Sequence, residues 1–395
     1  MRNPDILIIS HFAEERDSAN CRFHELAGIL ARRGADVELV TSSFLHTHKR
    51  DRDAQDSQVA DYRITRVTEP AYSSNVSFAR LRSHRILGRN LMDYLDSRAV
   101  PDVIFCAMPS TDVAEAAARY AGDKGVRLIL DVQDLWPEAF ELVLKPRWLS
   151  HQLLTPLRRR AERIYRAADE CVTVSETYSR RVREARGSTG GVSTTYLGTN
   201  LGEFDQFGAE PFDDTGDALA LAYIGTLGHS YDLPLVFEAL RELKGRDRDV
   251  ILHIIGSGPL ESRWRDDARD LGDSVRFHGR LGYPEMVARL RSCDIAVNPI
   301  VPGAAQSIIN KVCDYAAAGL AVVSTQECEE YRQLLDDYGA GINCRPSSSD
   351  VATAIAELAS DPVLRRSMGR ESRRMAEELF NRAETYECLA DRILP

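Results

Sequence analysis

One short segment, SIINKVCDYAAAG, combines a hydroxyl, an amide, an ammonium and a carboxylate at helical spacing. Its residues Ser307, Asn310, Lys311 and Asp314 stand at i, i+3, i+4 and i+7, so a helix would place them along one face. Free N–H groups at a helix N-terminus, with Lys311 nearby, suit a phosphate, and Asp314 can accept hydrogen bonds from ribose or sugar hydroxyls. We expect a ligand that is both a diphosphate and a polyol; the alternative is a solvated helix face.

The flanking residues set the limits of this helix. We expect Ser307 to be the N-cap and Gly319 to follow the last turn, before the strand LAVVST. Ile308 belongs to the opposite, apolar face, together with Val312, Tyr315 and Ala316. The strand DIAVNPI and the loop VPGAAQ, which ends at Gln306, come before the helix. Its N-terminus should therefore lie at the carboxyl end of a sheet.

Two glycine-containing turns follow strands in the same half of the chain. In AYIGTLGHSYD, Gly225 and Gly228 would let backbone N–H groups approach an anion. In HIIGSGPLESRW, Gly256 and Gly258 also follow a strand, but the last glycine of the GxGxxG pattern is missing. Dinucleotide binding is therefore disfavoured, and we interpret the second turn as a sharp strand-to-helix connection.

The first half of the chain has polar residues after two predicted strands. Asp131, Gln133, Asp134 and Trp136 lie at the end of the predicted strand RLILDVQ, where polar groups and a following aromatic favour contact with a small ligand. The alternative for Asp134 is a helix cap. His11 and Arg22 flank the loop after the first strand, and either could instead be an ordinary surface residue.

Two basic amphipathic segments remain, residues 78–91 (FARLRSHRILGRNL) and 145–169 (KPRWLSHQLLTPLRRRAERIYRAAD). Arginines interleaved with Leu, Phe or Trp are typical of a helix that lies on anionic lipid. The alternative is a helix packed in the fold with its arginines in water. The chain contains no HExxH, GxSxG or Walker motif, and the two DRD triplets lie in charged connecting segments, so we expect no metal site.

Composition limits the class of protein. The chain has 395 residues, of which 44% are hydrophobic, enough for two domains with separate cores. A net charge of −10 argues against nucleic acid as the main partner. Eight scattered cysteines without CxxC pairing indicate a reducing compartment. With neither a signal peptide nor a membrane-spanning run in the sequence, we expect a cytoplasmic protein.

The order of elements predicts the fold class. Short β-rich segments alternate with helical ones, the pattern of parallel sheets covered by helices. The predicted strands are DILIIS, DVELVTS, DVIFCAM, RLILDVQ, ECVTVS, STTYLG, LALAYIGT, VILHIIGS, SVRFHG, DIAVNPI, LAVVST and GINC. We predict two α/β, Rossmann-like doubly wound domains that face each other across a cleft, with ligands at the carboxyl ends of the strands. The predicted boundaries are 1–200 for the first domain, 201–217 for a polar linker and 218–375 for the second domain.

With these motifs in order, the chain resembles the retaining GT-B glycosyltransferases of family 4 that make bacterial cell-surface polysaccharides. The resemblance covers nearly the whole chain and is most specific in the segments LHIIGSGPLESRW and KVCDYAAAGLAVVST. DVQDLWPE and VTVSETYS are similar to a branch that acts on amino- and deoxysugars. The final segment, 376–395, resembles the family helix that returns to the first domain.

The resemblance implies roles for individual residues, and at five positions this chain has a different residue from the family. The two family glutamates separated by seven residues correspond to Gln306 and Asp314, and the family arginine and lysine that bind the donor diphosphate correspond to Thr226 and Tyr231. A family histidine that touches the sugar corresponds to Gln133. The implied catalytic residues are Gln306, Asp314, Lys311, Gln133 and Asp134. The implied donor-binding residues are Gly225, Thr226, Gly228, Tyr231, Gly256, Arg280, Leu281, Ser307, Ile308 and Asn310, with Lys311, Arg280 and helix N-termini replacing the missing charges. The acceptor side is assigned to His11, Asn20 and Arg22.

The resemblance implies a retaining hexosyltransferase that moves a sugar from a nucleotide-diphosphate donor to a saccharide or lipid-linked acceptor. No cofactor or metal is expected, because backbone dipoles and lysine stabilise the leaving group. The expected partners are a nucleotide sugar, the acceptor and an anionic membrane surface on the inner face of the cell membrane, with no nucleic acid. Two alternatives are a non-catalytic member that only binds nucleotide sugars, and a sugar-nucleotide epimerase of the same fold.

Overall fold

A computed structural model describes residues 2–13, 22–52, 58–59, 61–74, 77–138, 147–212, 218–244, 249–304 and 308–395. The chain divides into two compact units. Unit 1 contains Met1–Thr195 and Tyr386–Pro395, and unit 2 contains Tyr196–Thr385.

Unit 1 is built on one large sheet. Its strands are β1 (Asp5–Ile9), β2 (Asp36–Ser42), β5 (Gln58–Val59), β6 (Tyr62–Val67), β7 (Val103–Met108), β8 (Arg127–Val132), β9 (Glu170–Thr173) and β10 (Val192–Thr194), and a separate antiparallel pair is formed by β3 (Phe44–Leu45) and β4 (Arg50–Asp51). The sheet order is β10-β9-β8-β7-β1-β2-β6-β5, and every pairing is parallel except β5 with β6. The helices are α1 (Arg22–Arg32), α2 (Phe78–Ser97), α3 (Thr111–Lys124), α4 (Arg147–Ala167) and α5 (Glu176–Arg186).

The central strands of unit 1 are apolar because helices cover both faces of the sheet. All six residues of β7 are buried, as expected for a parallel strand without a solvent face. One face packs against the apolar sides of α2 to α5. The other packs against α1 and against the last residues of the chain, including Tyr386, Leu389 and Ile393.

Unit 2 contains a smaller sheet that is entirely parallel. Its strands are β11 (Leu219–Ile224), β12 (Val250–Ile255), β13 (Val275–Gly279), β14 (Ile295–Asn298), β15 (Ala321–Ser324) and β16 (Gly341–Asn343), in the order β13-β12-β11-β14-β15-β16. The helices are α6 (Leu201–Phe204), α7 (Leu233–Leu243), α8 (Glu261–Asp267), α9 (Tyr283–Leu290), α10 (Asn310–Ala317), α11 (Glu329–Tyr338), α12 (Ser348–Ser360) and α13 (Pro362–Leu379), with a 3-10 helix at Arg269–Ser274. The last helix, α14 (Arg382–Ile393), begins in unit 2 and ends in unit 1.

Each sheet has one position where the strand order changes direction. In unit 1 this switch point lies between β1 and β7, and in unit 2 it lies between β11 and β14. Loops diverge at such a position and leave a crevice at the carboxyl ends of the two strands, where open α/β sheets bind their ligands. The loops after these four strands are therefore the first places to look for a site.

The prediction of two α/β units with parallel sheets is confirmed, and each predicted strand overlaps an observed one. The sequence analysis missed β3 to β6. Of these, β6 pairs in parallel with β2, but its sequence YRITRV carries two arginines and lies toward the edge of the sheet. The described part of the predicted linker, 201–212, belongs to unit 2, where Leu201, Phe204 and Phe212 are buried in the core.

The first basic segment forms most of α2, and the second contains the whole of α4. On α2, the apolar face packs into unit 1 through Leu87, Leu91 and Leu95, while Arg82, Arg85 and Arg89 are exposed. Among the described residues, no helix combines the length and apolar character that crossing a membrane requires.

Candidate functional site

Lys311 occupies an unusual position at the carboxyl end of the unit 2 sheet. Its side chain lies on the first turn of α10, and the residue is only 7% exposed. The Nζ atom is buried and has no hydrogen-bond partner among the residues that the structure describes. Burial lowers the pKa of Lys311 well below its usual value. A buried amine without a partner costs stability, so its position calls for a ligand.

Two tyrosine rings and a glycine surround the amine. Lys311 Nζ lies 3.6 Å from the centroid of the Tyr231 ring and 4.1 Å from that of Tyr223, distances at which a cation is attracted to an aromatic face. Gly225 follows β11 with φ 118°, and a Cβ atom there would lie 3.2 Å from Lys311 Nζ. Lys311 therefore lies beside the loop after β11, which is one side of the switch point.

The second glycine turn supports this loop. Gly256 follows β12 with φ 148°, and a Cβ atom there would lie 1.8 Å from the carbonyl oxygen of Gly225. Gly258 likewise packs against the backbone of Leu227. Glycine is required at both positions because two backbone segments touch. The turn therefore acts as a packing contact that holds Gly225 in place, in agreement with its interpretation as a strand-to-helix connection.

Asp314 lies one turn further along α10. Its Oδ1 atom accepts hydrogen bonds from Thr199 Oγ1 at 2.8 Å and from the Tyr283 hydroxyl at 3.1 Å. Burial raises the pKa of Asp314 to about 6, although these two hydroxyls and Arg382 favour the ionised form. The carboxylate already binds hydroxyl groups of the protein, the same chemistry that a ribose would offer.

α10 begins later than predicted, because its N-cap is Ile309 rather than Ser307 and its first helical residue is Asn310. Gln306 and Ser307 lie outside the described residues, and so does Asn20. The predicted end of the helix is confirmed: Gly319 has φ 67°, and the N–H groups of Gly319 and Leu320 close the last turn onto Ala316 and Tyr315. The polar side chains predicted to share one face of α10 do not all point the same way. Lys311 points toward the tyrosines, and Asp314 points toward Thr199.

Two asparagines near this end of the sheet carry buried oxygens. The Oδ1 atoms of Asn298 and Asn310 have no hydrogen-bond partner among the described residues. Asn298 ends β14, on the other side of the switch point, and its Nδ2 donates to Ser324 Oγ and Gln326 Oε1 at 3.2 and 3.0 Å. The sequence analysis did not select Asn298, although an asparagine inside the apolar strand DIAVNPI was a signal.

The other predicted donor residues fall into two groups. Thr226 and Arg280 are exposed, in the loops after β11 and β13, and Gly228 lies in the first of these loops. Ile308 is buried in the core, and Leu281 packs against it. The structure thus brings Lys311, Gly225 and Tyr231 together, with Gly256 supporting them, and leaves Arg280 exposed to solvent.

In unit 1, a buried hydrogen-bonded chain spans the switch point. His11 follows β1, and its Nδ1 atom lies 2.8 Å from the Oγ of Ser110, which follows β7. His11 Nε2 lies 2.8 Å from Oε2 of Glu69, and Glu69 also accepts from Ser42 and Ser83 at 2.5 and 2.6 Å. Burial alone would raise the pKa of Glu69, but these donors lower it to about 2. Because an ionised carboxylate can only accept hydrogen bonds, the Nε2 atom of His11 donates to Glu69.

A cluster of rings and cations lies next to His11. The Phe12 ring stacks on His11 with a centroid distance of 4.0 Å, and the guanidinium carbon of Arg80 lies 5.1 to 6.0 Å from three ring centroids, those of Trp136, Phe12 and Tyr72. Lys49 Nζ lies 5.1 Å from the Tyr72 centroid. Contacts between residues so distant in sequence leave no spacing signal, which is why Glu69, Lys49 and Arg80 were missed.

The remaining predicted residues of unit 1 are tied to the fold. Arg22 is buried and donates to both carboxylate oxygens of Asp131 at 2.8 and 3.0 Å, while its guanidinium lies over the Tyr386 ring at 4.8 Å. Gln133 donates to Asp131 at 2.7 Å. Asp134 accepts from the Leu135 N–H and from Trp136 Nε1, and burial raises its pKa. Arg22 therefore holds the end of β8 and the chain terminus rather than presenting its charge to solvent.

One group of side chains has the composition of a metal site. The candidate ligand atoms of His11, Glu69 and His84 lie within 4.8 Å of one another among the described residues. His11 and Glu69 already bond to each other, and Arg80 Nε donates to His84 Nε2 at 3.3 Å. The nearby guanidinium opposes a divalent cation, so the arrangement fits a hydrogen-bonded network better than a metal centre.

Comparisons with known proteins agree with this architecture. Residues 218–361 match the family described as glycosyl transferases group 1, and residues 19–193 match the glycosyl transferase 4-like domain. A phosphatidyl-myo-inositol mannosyltransferase of Mycolicibacterium smegmatis is 30% identical over 141 residues, which cover 34% of this chain and 36% of that protein. The match thus spans about a third of the length of this relative.

Two solved structures are similar over nearly their whole length. Sucrose-phosphate synthase from Thermosynechococcus elongatus is 16% identical, with a TM-score of 0.71 over 99% of this chain and 98% of that chain. Anabaena Alr3699/HepE in complex with UDP is 14% identical, with a TM-score of 0.71 over 98% of this chain and 99% of that chain. From the two matched domains and the shared architecture, we conclude that the chain belongs to family 4 of the glycosyltransferases and has the GT-B fold.

Proposed function

We propose that this protein is a retaining glycosyltransferase whose unit 2 binds a nucleotide-diphosphate sugar and whose unit 1 binds a saccharide or lipid-linked acceptor. The observation that carries the proposal is the buried Lys311 amine at the switch point of unit 2, which lacks a hydrogen-bond partner among the described residues. A diphosphate would supply the charge and the acceptors that this amine lacks.

The residues around Lys311 suit each part of such a donor. The N–H groups at the start of α10 offer donors to the diphosphate, and Lys311 supplies a positive charge. Asp314 offers a carboxylate to the ribose hydroxyls. The family cations that correspond to Thr226 and Tyr231 are missing, but the Tyr231 ring contacts the Lys311 amine at 3.6 Å. We infer that Lys311 takes over their charge.

Two relatives support the choice of donor. The Anabaena neighbour was solved with UDP, and the mycobacterial relative is a mannosyltransferase. We propose that the donor is a UDP- or GDP-linked hexose and that the product is a bacterial cell-surface polysaccharide or glycoconjugate. The proposed site of action is the cytoplasmic side of the membrane.

The chemistry requires stabilisation of the leaving group. The bond between the anomeric carbon and the phosphate oxygen breaks, and the nucleoside diphosphate leaves as an anion stabilised by Lys311 and the N–H groups of α10. The acceptor hydroxyl attacks from the same face, which retains the anomeric configuration, and its proton passes to the departing phosphate. We propose that no metal takes part, so a chelator should leave turnover unchanged.

The test is turnover with a panel of UDP-, GDP- and dTDP-sugars, in the presence of a bacterial lipid extract as the source of acceptor. We expect release of the nucleoside diphosphate with at least one donor and a product with the anomeric configuration of that donor. If no donor binds or reacts at millimolar concentration, the proposal is wrong.

A non-catalytic nucleotide-sugar-binding protein is the second candidate. It is favoured by the missing cations at Thr226 and Tyr231, since a weakened diphosphate site would still bind a donor. Donor binding without product, with an acceptor that a related enzyme does use, would support this second function over the first.

We also propose that α2 brings unit 1 to an anionic membrane. Phe78 and Leu81, in its first turn, are 92% and 66% exposed, and Arg82, Arg85 and Arg89 are exposed on the same helix. Exposed apolar side chains beside arginines fit an anionic lipid surface. The protein should sediment with phosphatidylglycerol vesicles and not with phosphatidylcholine vesicles; equal sedimentation with both would contradict the proposal.

A further inference from the structure

The two carboxylate oxygens of Asp314 have different surroundings. Both hydrogen bonds to the side chain end on Oδ1, one from Thr199 Oγ1 at 2.8 Å and one from the Tyr283 hydroxyl at 3.1 Å. Within the part of the chain that the structure describes, no residue donates to Oδ2. Asp314 is half-buried, so part of the residue reaches the surface. Oδ2 is therefore the oxygen that remains for a ligand.

The Thr199 hydroxyl is fixed by the backbone around it. The N–H of Thr199 donates to the Phe380 carbonyl at 2.8 Å, and its carbonyl accepts from the Arg382 N–H at 3.0 Å. The buried Arg382 side chain donates to the two carbonyls before Thr199, that of Leu197 at 3.1 Å and that of Gly198 at 2.8 Å. These contacts hold the hydroxyl against the carboxylate.

The second hydroxyl comes from a different element. Tyr283 is the first residue of α9, after the loop that follows β13. Its ring meets the Phe207 ring edge-on, with 6.5 Å between the centroids. Burial and the neighbouring Asp314 raise the pKa of the Tyr283 hydroxyl, so the hydroxyl stays protonated and donates to the carboxylate when Asp314 is ionised.

We propose that Thr199 and Tyr283 are positioning residues for the donor nucleotide: they occupy Oδ1 of Asp314 and so direct Oδ2 toward the ribose hydroxyls. This role rests on the proposed function, in which unit 2 binds a nucleotide-diphosphate sugar. Asp314 lies three residues after Lys311, about 4.5 Å further along the axis of α10. In a nucleotide the ribose is attached to the diphosphate, so the two side chains suit neighbouring parts of one ligand.

Two donors on one oxygen prepare the carboxylate for binding. They restrict rotation of the side chain, so less freedom is lost when the ribose binds. They also favour the ionised form, against the effect of burial on the pKa of Asp314. An ionised oxygen makes charge-assisted hydrogen bonds, which are roughly twice as strong as those between neutral groups.

The test removes each hydroxyl from the full chain and keeps the shape of the side chain, in Thr199→Val and in Tyr283→Phe. Thr199→Ser restores a hydroxyl and tests rescue. The matched control is Tyr338→Phe, because the Tyr338 hydroxyl donates to another carboxylate of unit 2, that of Glu378, at 2.7 Å. Thermal unfolding without ligand identifies any variant that fails to fold, and the other hydroxyl variant then decides.

Calorimetric titration measures the affinity for UDP and GDP, and for the 2′-deoxy and 3′-deoxy forms of whichever nucleotide binds more tightly. Loss of either hydroxyl should weaken binding of the ribonucleotide by about three- to tenfold, the usual contribution of one hydrogen bond. The deoxy form that the wild-type protein binds less tightly should lose little, so the preference for ribose should shrink. Thr199→Ser and Tyr338→Phe should keep that preference.

The pH profile of binding is a second readout, one that a purely structural role would not move. Without one of its donors, Asp314 should have a higher pKa, because each donor favours the ionised form. The rise of nucleotide affinity with pH should therefore shift to higher pH in Thr199→Val and in Tyr283→Phe, and it should stay in place in Tyr338→Phe.

Three results would overturn the proposal, and they differ in what else they remove. An unchanged preference for ribose and an unchanged pH profile in both hydroxyl variants would make Thr199 and Tyr283 structural residues. Equal wild-type affinity for the ribonucleotide and for both deoxy forms would show that Asp314 does not contact the ribose, and the proposed function would stand. No binding of UDP or GDP by the wild-type protein would overturn the proposed function as well.

Discussion

At the scale of single residues, Lys311 shows a conflict between stability and binding. A buried amine that lacks a hydrogen-bond acceptor in the described structure raises the free energy of the folded protein, and the two tyrosine rings offset only part of that cost. Such a group is best explained by a ligand that pairs with it. The sequence spacing identified Lys311 as a candidate. The direction of its side chain could not be predicted, because it depends on β11 and on Tyr231, which come close to Lys311 only in the folded chain.

The first prediction follows from this conflict. Lys311→Met replaces the amine with an apolar side chain of similar length, so the free energy of unfolding should rise by about 1 kcal/mol or more. Nucleoside diphosphate binding should weaken by about ten- to a hundredfold, because a hydrogen bond to a charged group contributes about 1.5–3 kcal/mol. Thermal unfolding and calorimetric titration measure the two effects.

The control for this substitution is Lys244→Met, which removes the same charge from an exposed position in unit 2. It should change neither stability nor binding appreciably. If Lys311→Met destabilises the protein and leaves nucleotide binding intact, the amine has a structural role instead.

The second prediction concerns pH. The pKa of Asp314 in the folded protein is raised to about 6, above the value of an ordinary carboxyl, so the folded state binds more protons than the unfolded state between about pH 4 and 6. The contribution of Asp314 to stability therefore falls as pH rises through this window, by on the order of 1–2 kcal/mol. Asp314→Asn should remove that part of the pH dependence, seen as a smaller change in unfolding free energy from pH 5 to pH 8.

Nucleotide binding should show the opposite trend. The ionised carboxylate is the better acceptor for ribose hydroxyls, so affinity of the wild-type protein should rise as pH increases through 6, and Asp314→Asn should flatten this rise. An unchanged pH profile of binding in Asp314→Asn would show that the carboxylate does not touch the nucleotide.

At the scale of elements, the alternation of strands and helices was readable from the sequence because buried parallel strands are continuous apolar runs. β7 and β11, for example, are entirely buried and were recognised. β6 was not, because Arg63 and Arg66 interrupt its apolar pattern, and Glu69, which follows β6, was lost with it. The N-cap of α10 is Ile309, two residues later than the predicted Ser307.

The third prediction tests the contact between the two glycine turns. Gly256→Ala places a methyl group where the Gly225 carbonyl oxygen lies, and it also requires a positive φ, so the backbone must move. We expect a loss of about 2–4 kcal/mol in unfolding free energy and weaker nucleotide binding through displacement of the Gly225 loop. Gly208→Ala, at an exposed position in open space, is the control. A stable Gly256→Ala protein with normal binding would contradict the account of this turn.

At the scale of the whole molecule, each unit has cores on both faces of its own sheet. Unit 1 is discontinuous in sequence, because the segment from Tyr386 to the end of the chain returns to it. Tyr386, Leu389 and Ile393 are at most 1% exposed and belong to the core on the α1 face of the sheet. The sequence analysis predicted a returning C-terminal helix from family resemblance. The residues against which this helix packs, such as Arg22 against Tyr386, could not be predicted from the sequence.

The fourth prediction follows from this topology. A chain that ends at Thr385 loses three large buried side chains, each contributing about 1.5–3 kcal/mol, which together approach the whole stability of a typical domain. Unit 1 should then fail to unfold cooperatively. A separate fragment of residues 196–385 keeps both cores of unit 2 and should fold and bind nucleotide. Cooperative unfolding of unit 1 in the truncated chain would show that the terminal segment is dispensable.

The most direct test of the central claim is a crystal structure of the protein with bound UDP or GDP, whichever raises the melting temperature more. We predict diphosphate oxygens within hydrogen-bond distance of Lys311 Nζ, beside Gly225 and the start of α10, and ribose hydroxyls at Asp314. A nucleotide bound elsewhere, or one that leaves the Lys311 amine enclosed by Tyr223 and Tyr231 without a phosphate contact, would contradict it.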